Sequence, residues 1–480
     1  MTLRSLSRLF LPVLTLLAAC SGAPGQSHAQ SARVGPAPAL AEPNRRAPAD
    51  VATMRLSFAP VVKRAAPAVV NVYARRVVRQ QIDPFWQMFG APGMTRERVL
   101  QSLGSGVIVR ADGVIVTNNH VVADGQEFMV VLSDRREFPA HVLLADPRTD
   151  LAVLKIDVGA ERLPVLPIEA SGDTQIGDLV LAIGNPFGIG QTVTNGIVSA
   201  LNRAEDSGGG TGSYIQTDAP INPGNSGGAL VDMDANLIGI NSFIISRSGT
   251  SSGVGFAVPA PLVRRVVETA LGGGHALVRA WLGAKTDPVT AEIARSLGLA
   301  TPSGALVTQL FADGPAALGG VKVGDVITSV DNQAVVDPAN LNFRISTLRP
   351  GQMVRLQLIR NGKGEAATVR VAAPAGGPIV ERTLGGRNPL AGATVANFTP
   401  AVADSLGLDP FAATGGVVVT HVLETGYAAR LGLQAGDFIR GVNGQRVQSV
   451  GDLVNALQTP RGGWILTVQR AGQVMTVRIG

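Results

Sequence analysis

From about residue 55 to residue 270, short apolar runs alternate with turns rich in Gly, Asp, Asn and Pro. Val69–Tyr73, Gly106–Val109, Val114–Thr117, Phe128–Leu132, Ala152–Ile156 and Leu179–Ile183 are too short for amphipathic helices and rich in β-branched residues. Such runs at regular spacing predict strands, and their number predicts an all-β double barrel. Asp83–Gly90 interrupts the pattern with clustered aromatics, which reads as a satellite core under a loop.

Downstream the chain repeats itself. Gly304-Ala305-Leu306-Val307-Thr308 returns as Gly416-Val417-Val418-Val419-Thr420, and Val323-Gly324-Asp325-Val326-Ile327 returns as Ala435-Gly436-Asp437-Phe438-Ile439. The offset is constant (304 to 416, 324 to 436) and too long for a solenoid, so these are two copies of one domain. Each copy follows its Gly-Asp-x-Ile with a hairpin, Asp331-Asn332-Gln333 or Asn443-Gly444-Gln445. A helix then follows, near Pro338–Leu348 or Val450–Leu457.

The amino-terminal pattern is different. Arg4 and Arg8 precede an apolar stretch from Leu9 to Ala19, which predicts an export signal over residues 1–20. Leu17-Ala18-Ala19-Cys20 reads as a lipobox that makes Cys20 a lipidation site; cleavage after Ser27-His28-Ala29 is the alternative. Residues 21–54, rich in Ala, Pro, Ser and Gly, predict a disordered spacer.

Composition narrows the function classes. A chain of 480 residues allows roughly three domains, and 45% hydrophobic residues suffice for real cores. The 58 glycines and 30 prolines against 4% aromatics favour turn-rich β structure. The net charge of +6 is spread without a Lys/Arg block, so no nucleic-acid partner is expected. Cys20 is the single cysteine, so neither a disulfide nor a cysteine metal site is expected. No Gly-x-x-x-x-Gly-Lys-Ser/Thr loop occurs, so no ATPase is built in. No cofactor or metal is implied.

The candidate chemistry centres on Asp218-Ala219-Pro220-Ile221-Asn222-Pro223-Gly224-Asn225-Ser226-Gly227-Gly228. A serine hydroxyl is a poor nucleophile until a base takes its proton and donors hold the oxyanion. Flanking glycines let the backbone turn sharply and aim N–H groups at one point. Gly224, Asn225 and Ser226 are therefore candidate oxyanion donors; a plain Gly-rich turn is the competing reading. Of five histidines, His28 lies in the leader, His275 in a Gly-rich linker and His421 in the second repeat. His120 follows the Val114–Thr117 strand at a polar turn and is the preferred base. His141 reads as a half-buried structural residue of a strand. The base needs an orienting carboxylate. Asp150 stands where a turn enters the Ala152–Ile156 strand, whereas Asp146, ahead of Pro147, reads as a turn initiator.

The order His120, Asp150, Ser226 is that of the chymotrypsin-type triad. Thr117-Asn118-Asn119-His120-Val121-Val122, Thr149-Asp150-Leu151-Ala152-Val153 and Gly224-Asn225-Ser226-Gly227-Gly228 resemble the three signatures of the HtrA/DegP family of serine endoproteases. Leu103–Ile108 and Ala182–Gly188 extend the resemblance, which runs from about Phe58 to Gly480. It implies a mainly β fold. A chymotrypsin-like double-barrel protease domain over 55–272 is followed by PDZ domains over 278–374 and 386–480.

The resemblance further implies an ATP-independent endoprotease of envelope protein quality control. It would act in the periplasm on unfolded polypeptides, as a homotrimer or larger cage whose subunit contacts include the 83–90 loop. Carboxylate loops for C-terminal peptides fall at Trp281-Leu282-Gly283-Ala284 and Leu390-Ala391-Gly392-Ala393. Both depart from Gly-Leu-Gly-Phe. Lipidated Cys20 would attach the protease to a membrane, and Ser21 in place of aspartate points to the outer one. Ile221, Ile244 and Ile245 are candidate walls of the specificity pocket, with barrel core as the competing reading. They favour cleavage after small or medium aliphatic residues. The rival functions are a chaperone that holds polypeptides and a peptide-binding scaffold with secondary protease activity.

Overall fold

The short apolar runs fold into two closed six-stranded barrels. The computed structural model describes residues 57–81, 95–169, 173–185, 190–203, 213–222, 224–244, 253–274, 276–458 and 463–479. The leader, Cys20, the 21–54 spacer, the 83–90 aromatic run, Ile245 and His275 lie outside the described residues.

The first barrel comprises β1 (Val69–Gln81), β2 (Thr95–Arg110), β3 (Val114–Thr117), β4 (Glu127–Val131), β5 (Glu137–Asp146) and β6 (Leu151–Ile156), closed in the order β1-β2-β3-β6-β5-β4. The second comprises β7 (Leu179–Gly184), β8 (Thr192–Arg203), β9 (Tyr214–Thr217), β10 (Ala229–Val231), β11 (Leu237–Ile244) and β12 (Gly255–Pro259). Its order is β10-β11-β12-β9-β8-β7. Closure leaves no free sheet edge in either barrel. β3 and β12 are buried at every position, which is why they read as unbroken apolar runs and not as alternations. Ile108, Ile115, Leu151, Leu154 and Ile156 are fully buried in the first barrel. Each such side chain stabilises the fold by about 1.5–3 kcal/mol.

The helix Ala260–Leu271 clamps the two barrels together. Pro261 suits its first turn, and Leu262, Val263, Val266, Val267 and Ala270 form one buried stripe. That stripe packs on β5 and β6 of one barrel and β11 and β12 of the other.

The two repeats form similar sheets. The first contains β13 (Ala284–Pro288), β14 (Ala305–Leu310), β15 (Val326–Val330), β16 (Gln333–Ala334), β17 (Met353–Arg360) and β18 (Lys363–Arg370), in the order β13-β14-β15-β17-β18 with β16 beside β15. The second contains β19 (Glu381–Thr383), β20 (Ala393–Asn397), β21 (Val417–Val422), β22 (Phe438–Val442), β23 (Gln445–Arg446), β24 (Trp464–Arg470) and β25 (Gln473–Ile479). β19 pairs with β20, so the second sheet begins before residue 386, the boundary that the PDZ resemblance implies. The helices Pro338–Ser346 and Val450–Gln458 occupy the expected places.

The Asp of each Gly-Asp-x-Ile is a buried carboxylate held by an arginine fork. Asp325 is 1% exposed and accepts from Arg360 Nε at 2.7 Å and Nη2 at 2.6 Å. Asp437 accepts from Arg470 Nε and Nη2, both at 2.6 Å. Each aspartate also caps a turn amide, Lys322 N–H or Gln434 N–H. Such bidentate charge-assisted bonds are about twice as strong as neutral ones. The motif is thus a folding device of the module, present twice.

Candidate active site

The Asp150 turn carries backbone strain. Asp150 has φ of +53°, a left-handed conformation that costs a non-glycine residue about 1–3 kcal/mol. Its carbonyl accepts from Asn118 Nδ2 at 2.8 Å and from Asn119 N–H at 3.1 Å, which pins the turn against the segment preceding His120. His120 itself lies in the single helical turn Asn119–Val122, not in an irregular turn. Its Nδ1 is 2.9 Å from both Asp150 oxygens, and its backbone N–H donates to Asp150 Oδ1 at 3.0 Å. The imidazole is half-exposed while the carboxylate is largely covered.

Ser242, on β11 of the second barrel, donates its hydroxyl to Asp150 Oδ2 at 2.5 Å. The sequence reading missed this residue. Nothing local marks it, because Ser242 is separated from Asp150 by most of a barrel and sits in an ordinary strand.

Ser226 is half-buried in the turn before β10. Its carbonyl accepts from Ser105 N–H at 2.8 Å, which ties the turn to β2 of the first barrel. Ser105 Oγ donates to Gly224 O at 2.6 Å and accepts from Asn185 N–H at 2.9 Å. The two accessory motifs therefore meet, through Ser105 and Asn185, at one hydroxyl bonded to the serine turn. Gly227 has φ of +82°, and a Cβ there would lie 2.1 Å from Ser105 O. Only glycine fits this position.

The oxyanion donors need one correction. Asn225 N–H already donates to Asn222 O at 3.0 Å, so it closes the turn and does not face a cleft. Among the described residues, the Gly224 and Ser226 amides have no hydrogen-bond partner.

Other expectations fall as follows. His141 lies on β5, exposed and not half-buried, because this position of the strand faces away from the barrel core. Asp146 is buried at the end of β5, accepts from Thr149 Oγ1 at 2.8 Å, and pairs with Arg279. It is a structural anchor. Ile221 is 1% exposed and its methyl lies beneath Gly255. Ile244 ends β11. Two acids close to Ser226 in sequence, Asp218 and Asp232, are engaged in structural bonds. Asp218 Oδ1 accepts from Ile197 N–H at 2.7 Å, and Asp232 caps Asp234 and Asn236.

The two loops Trp281–Ala284 and Leu390–Ala393 share a backbone. Gly283 and Gly392 both have positive φ. Gly283 O accepts from Phe311 N–H and Gly392 O from Leu423 N–H. Leu282 O accepts from Ala316 N–H and Ala391 O from Ala428 N–H. Trp281 stacks edge-on to Phe311.

Comparison with known proteins agrees with this architecture. Residues 104–240 match the trypsin-like peptidase domain, and residues 280–371 and 418–470 each match a PDZ domain. A probable periplasmic serine endoprotease, DegP-like, from Pseudomonas fulva is 39% identical over 436 residues, covering 84% of this chain and 88% of the relative. One of the same description from Brucella melitensis is 37% identical over 468 residues, covering 88% of each. The solved structure of the HtrA-type protease AlgW with a decapeptide is 43% identical, covers 66% of this chain and 99% of that one, and superposes with a TM-score of 0.50.

Proposed function

This chain belongs to the HtrA/DegP family of serine endoproteases, and we propose that Ser226, His120 and Asp150 perform its cleavage of unfolded polypeptides in the bacterial periplasm. The observation that carries the reading is the Asp150 carboxylate set against His120 Nδ1, with Ser242 bonded to its Oδ2.

With Nδ1–H held by Asp150, His120 presents a basic Nε2 to Ser226. Ser226 Oγ attacks the substrate carbonyl while Nε2 takes its proton, and the imidazolium then protonates the leaving amine. Asp150 fixes the tautomer and stabilises the imidazolium without taking a proton. The Gly224 and Ser226 amides receive the oxyanion, each worth about 3–4 kcal/mol of the barrel-bound transition state. Water then repeats the cycle on the acyl-enzyme. Bonds form and break only among Ser226, the substrate carbonyl, the leaving amine and water, with His120 carrying the proton, so no nucleotide is consumed.

Peptide termini dock on the PDZ modules. β13 is the edge strand of its sheet, open to an added strand, and the loop Trp281–Ala284 precedes it. The relative AlgW was solved with a decapeptide, in line with this role. By the same family reading the protease assembles as a homotrimer or larger cage; the Leu17–Cys20 lipobox, and not the family, supports a membrane tether through Cys20, with cleavage after Ala29 as the alternative.

The test is casein digestion by the wild type and by Ser226→Ala, His120→Ala and Asp150→Asn. Each variant should keep the fold and lose about 10⁴-fold or more in turnover. A fluorophosphonate should label the wild type on Ser226. Equal digestion by Ser226→Ala would refute the assignment, and casein held without cutting by the wild type would favour a chaperone.

A further inference from the structure

Between the second barrel and the first PDZ module lies an open cavity of about 400 Å³. That volume falls in the range of small-molecule sites. Part of its lining is apolar, with Leu201 from β8 on one side and Phe343 from the helix Pro338–Ser346 on the other. The rest is strongly basic: four arginines line the space against two carboxylates. No residue of the loop Trp281–Ala284 or of β13 takes part, so the cavity is separate from the strand-addition edge.

Arg265 and Arg349 share a single carboxylate of the lining. Glu268 is shared: its Oε2 accepts from Arg349 Nη2 at 2.8 Å and lies 3.8 Å from Arg265 Nη1. The Arg265 side chain is only 12% exposed, and its buried Nε has no hydrogen-bond partner. Burial pushes its guanidinium below the ordinary value, the Glu268 charge opposes that, and the neighbouring charge of Arg349 adds to it. Burial does the same to Arg344. Among the described residues, Arg265 Nη1 has only the 3.8 Å approach of Glu268, and a carboxylate is the group whose geometry answers a guanidinium.

We propose that this cleft binds a carboxylate on a short apolar stem, with the head on Arg265 and Arg349 and the stem against Leu201 and Phe343. A free fatty acid and the C-terminus of an apolar peptide share that chemistry. Either ligand touches both the barrel and the PDZ module and so stabilises their contact.

The experiment is calorimetric titration of full-length protein carrying Ser226→Ala, which prevents self-digestion. The probes are sodium octanoate, octan-1-ol, inorganic phosphate, and an apolar tripeptide with a free or amidated C-terminus. Octanoate should bind and raise Tm, while octanol and phosphate should not. Arg265→Gln and Arg349→Gln should each weaken octanoate about tenfold or more, the effect of one lost charge-assisted bond. Arg349 stands on the exposed rim, so its variant keeps the test informative if Arg265→Gln fails to fold. A free-acid tripeptide that binds with the same arginine dependence, while its amide does not, identifies a peptide end as the ligand. Binding by octanoate alone identifies a fatty acid. Octanoate binding that is absent, unchanged in both arginine variants, or matched by phosphate would overturn the proposal.

Discussion

Arg279 Nη2 donates to Asp146 Oδ2 at 2.7 Å, with each side chain only 10% exposed. The pair joins the segment leading into the first PDZ module to the turn that carries Asp150. Thr149 Oγ1 donates to the same Asp146 oxygen, and Arg148 of that turn reaches Asp404 of the second PDZ module at 2.5 Å. One turn of the first barrel therefore holds both PDZ modules. Burial pushes the Arg279 guanidinium below its ordinary value, and the Asp146 charge opposes that shift.

Breaking a buried pair leaves an uncompensated charge, at a cost of about 3–5 kcal/mol. Arg279→Gln should therefore lower Tm markedly. Arg279→Gln with Asp146→Asn should lower it less than the two single changes added together, because both charges then leave. Strictly additive losses in thermal scans would mean that the two groups do not interact.

Ser242→Ala removes the hydroxyl on Asp150 Oδ2 but not the carboxylate on His120. A hydrogen bond to a charged group is worth about 1.5–3 kcal/mol. The expected result is a kcat lowered about tenfold or more, with KM for a short peptide nearly constant. An unchanged kcat would show that Asp150 needs no donor beyond His120.

Gly227→Ala places a Cβ 2.1 Å from the Ser105 carbonyl at a positive φ. The turn must shift, carrying Ser226 and its amide away from their positions. Fluorophosphonate labelling should be lost while circular dichroism shows both barrels intact. Normal labelling would contradict the geometry of the turn.

Arg470→Gln strips the fork from Asp437, whose carboxylate is fully buried. The second PDZ module should become susceptible to added trypsin, by about 3 kcal/mol of lost stability. Cleavage of a short peptide substrate should persist. Unchanged protection of the module would show that the fork is dispensable.

Among the described residues, Asp218 and Asp232, close to the serine turn in sequence, serve backbone amides. Peptides with Val or Ala at the cleaved position should be cut faster than peptides with Arg. Mass spectrometry of products from one denatured substrate measures this, and dominant cleavage after Lys or Arg would refute it.

The sequence by itself determined the strand runs of both barrels, the duplication, the two PDZ helices and the pairing of His120 with Asp150. These are local signals. Apolar period, turn glycines and repeated motifs are written in consecutive residues, and each element forms largely from its own neighbours. Gly227 beside Ser226 belongs to the same class, because a left-handed glycine is marked where it stands.

Only the tertiary structure decided the remainder. Ser242 meets Asp150 across 92 positions, and Arg279 meets Asp146 across 133. Arg360 and Arg470 close on aspartates more than thirty positions away, so the Gly-Asp motifs were legible and their partners were not. The spent N–H of Asn225 depends on how the turn closes, and the exposure of His141 on which way a strand faces. The cavity beside Arg265 exists only because two modules pack together. A polar partner is chosen by proximity in the folded chain, and a buried charge takes whichever complementary group the packing brings within about 3 Å. No spacing rule along the chain records that choice.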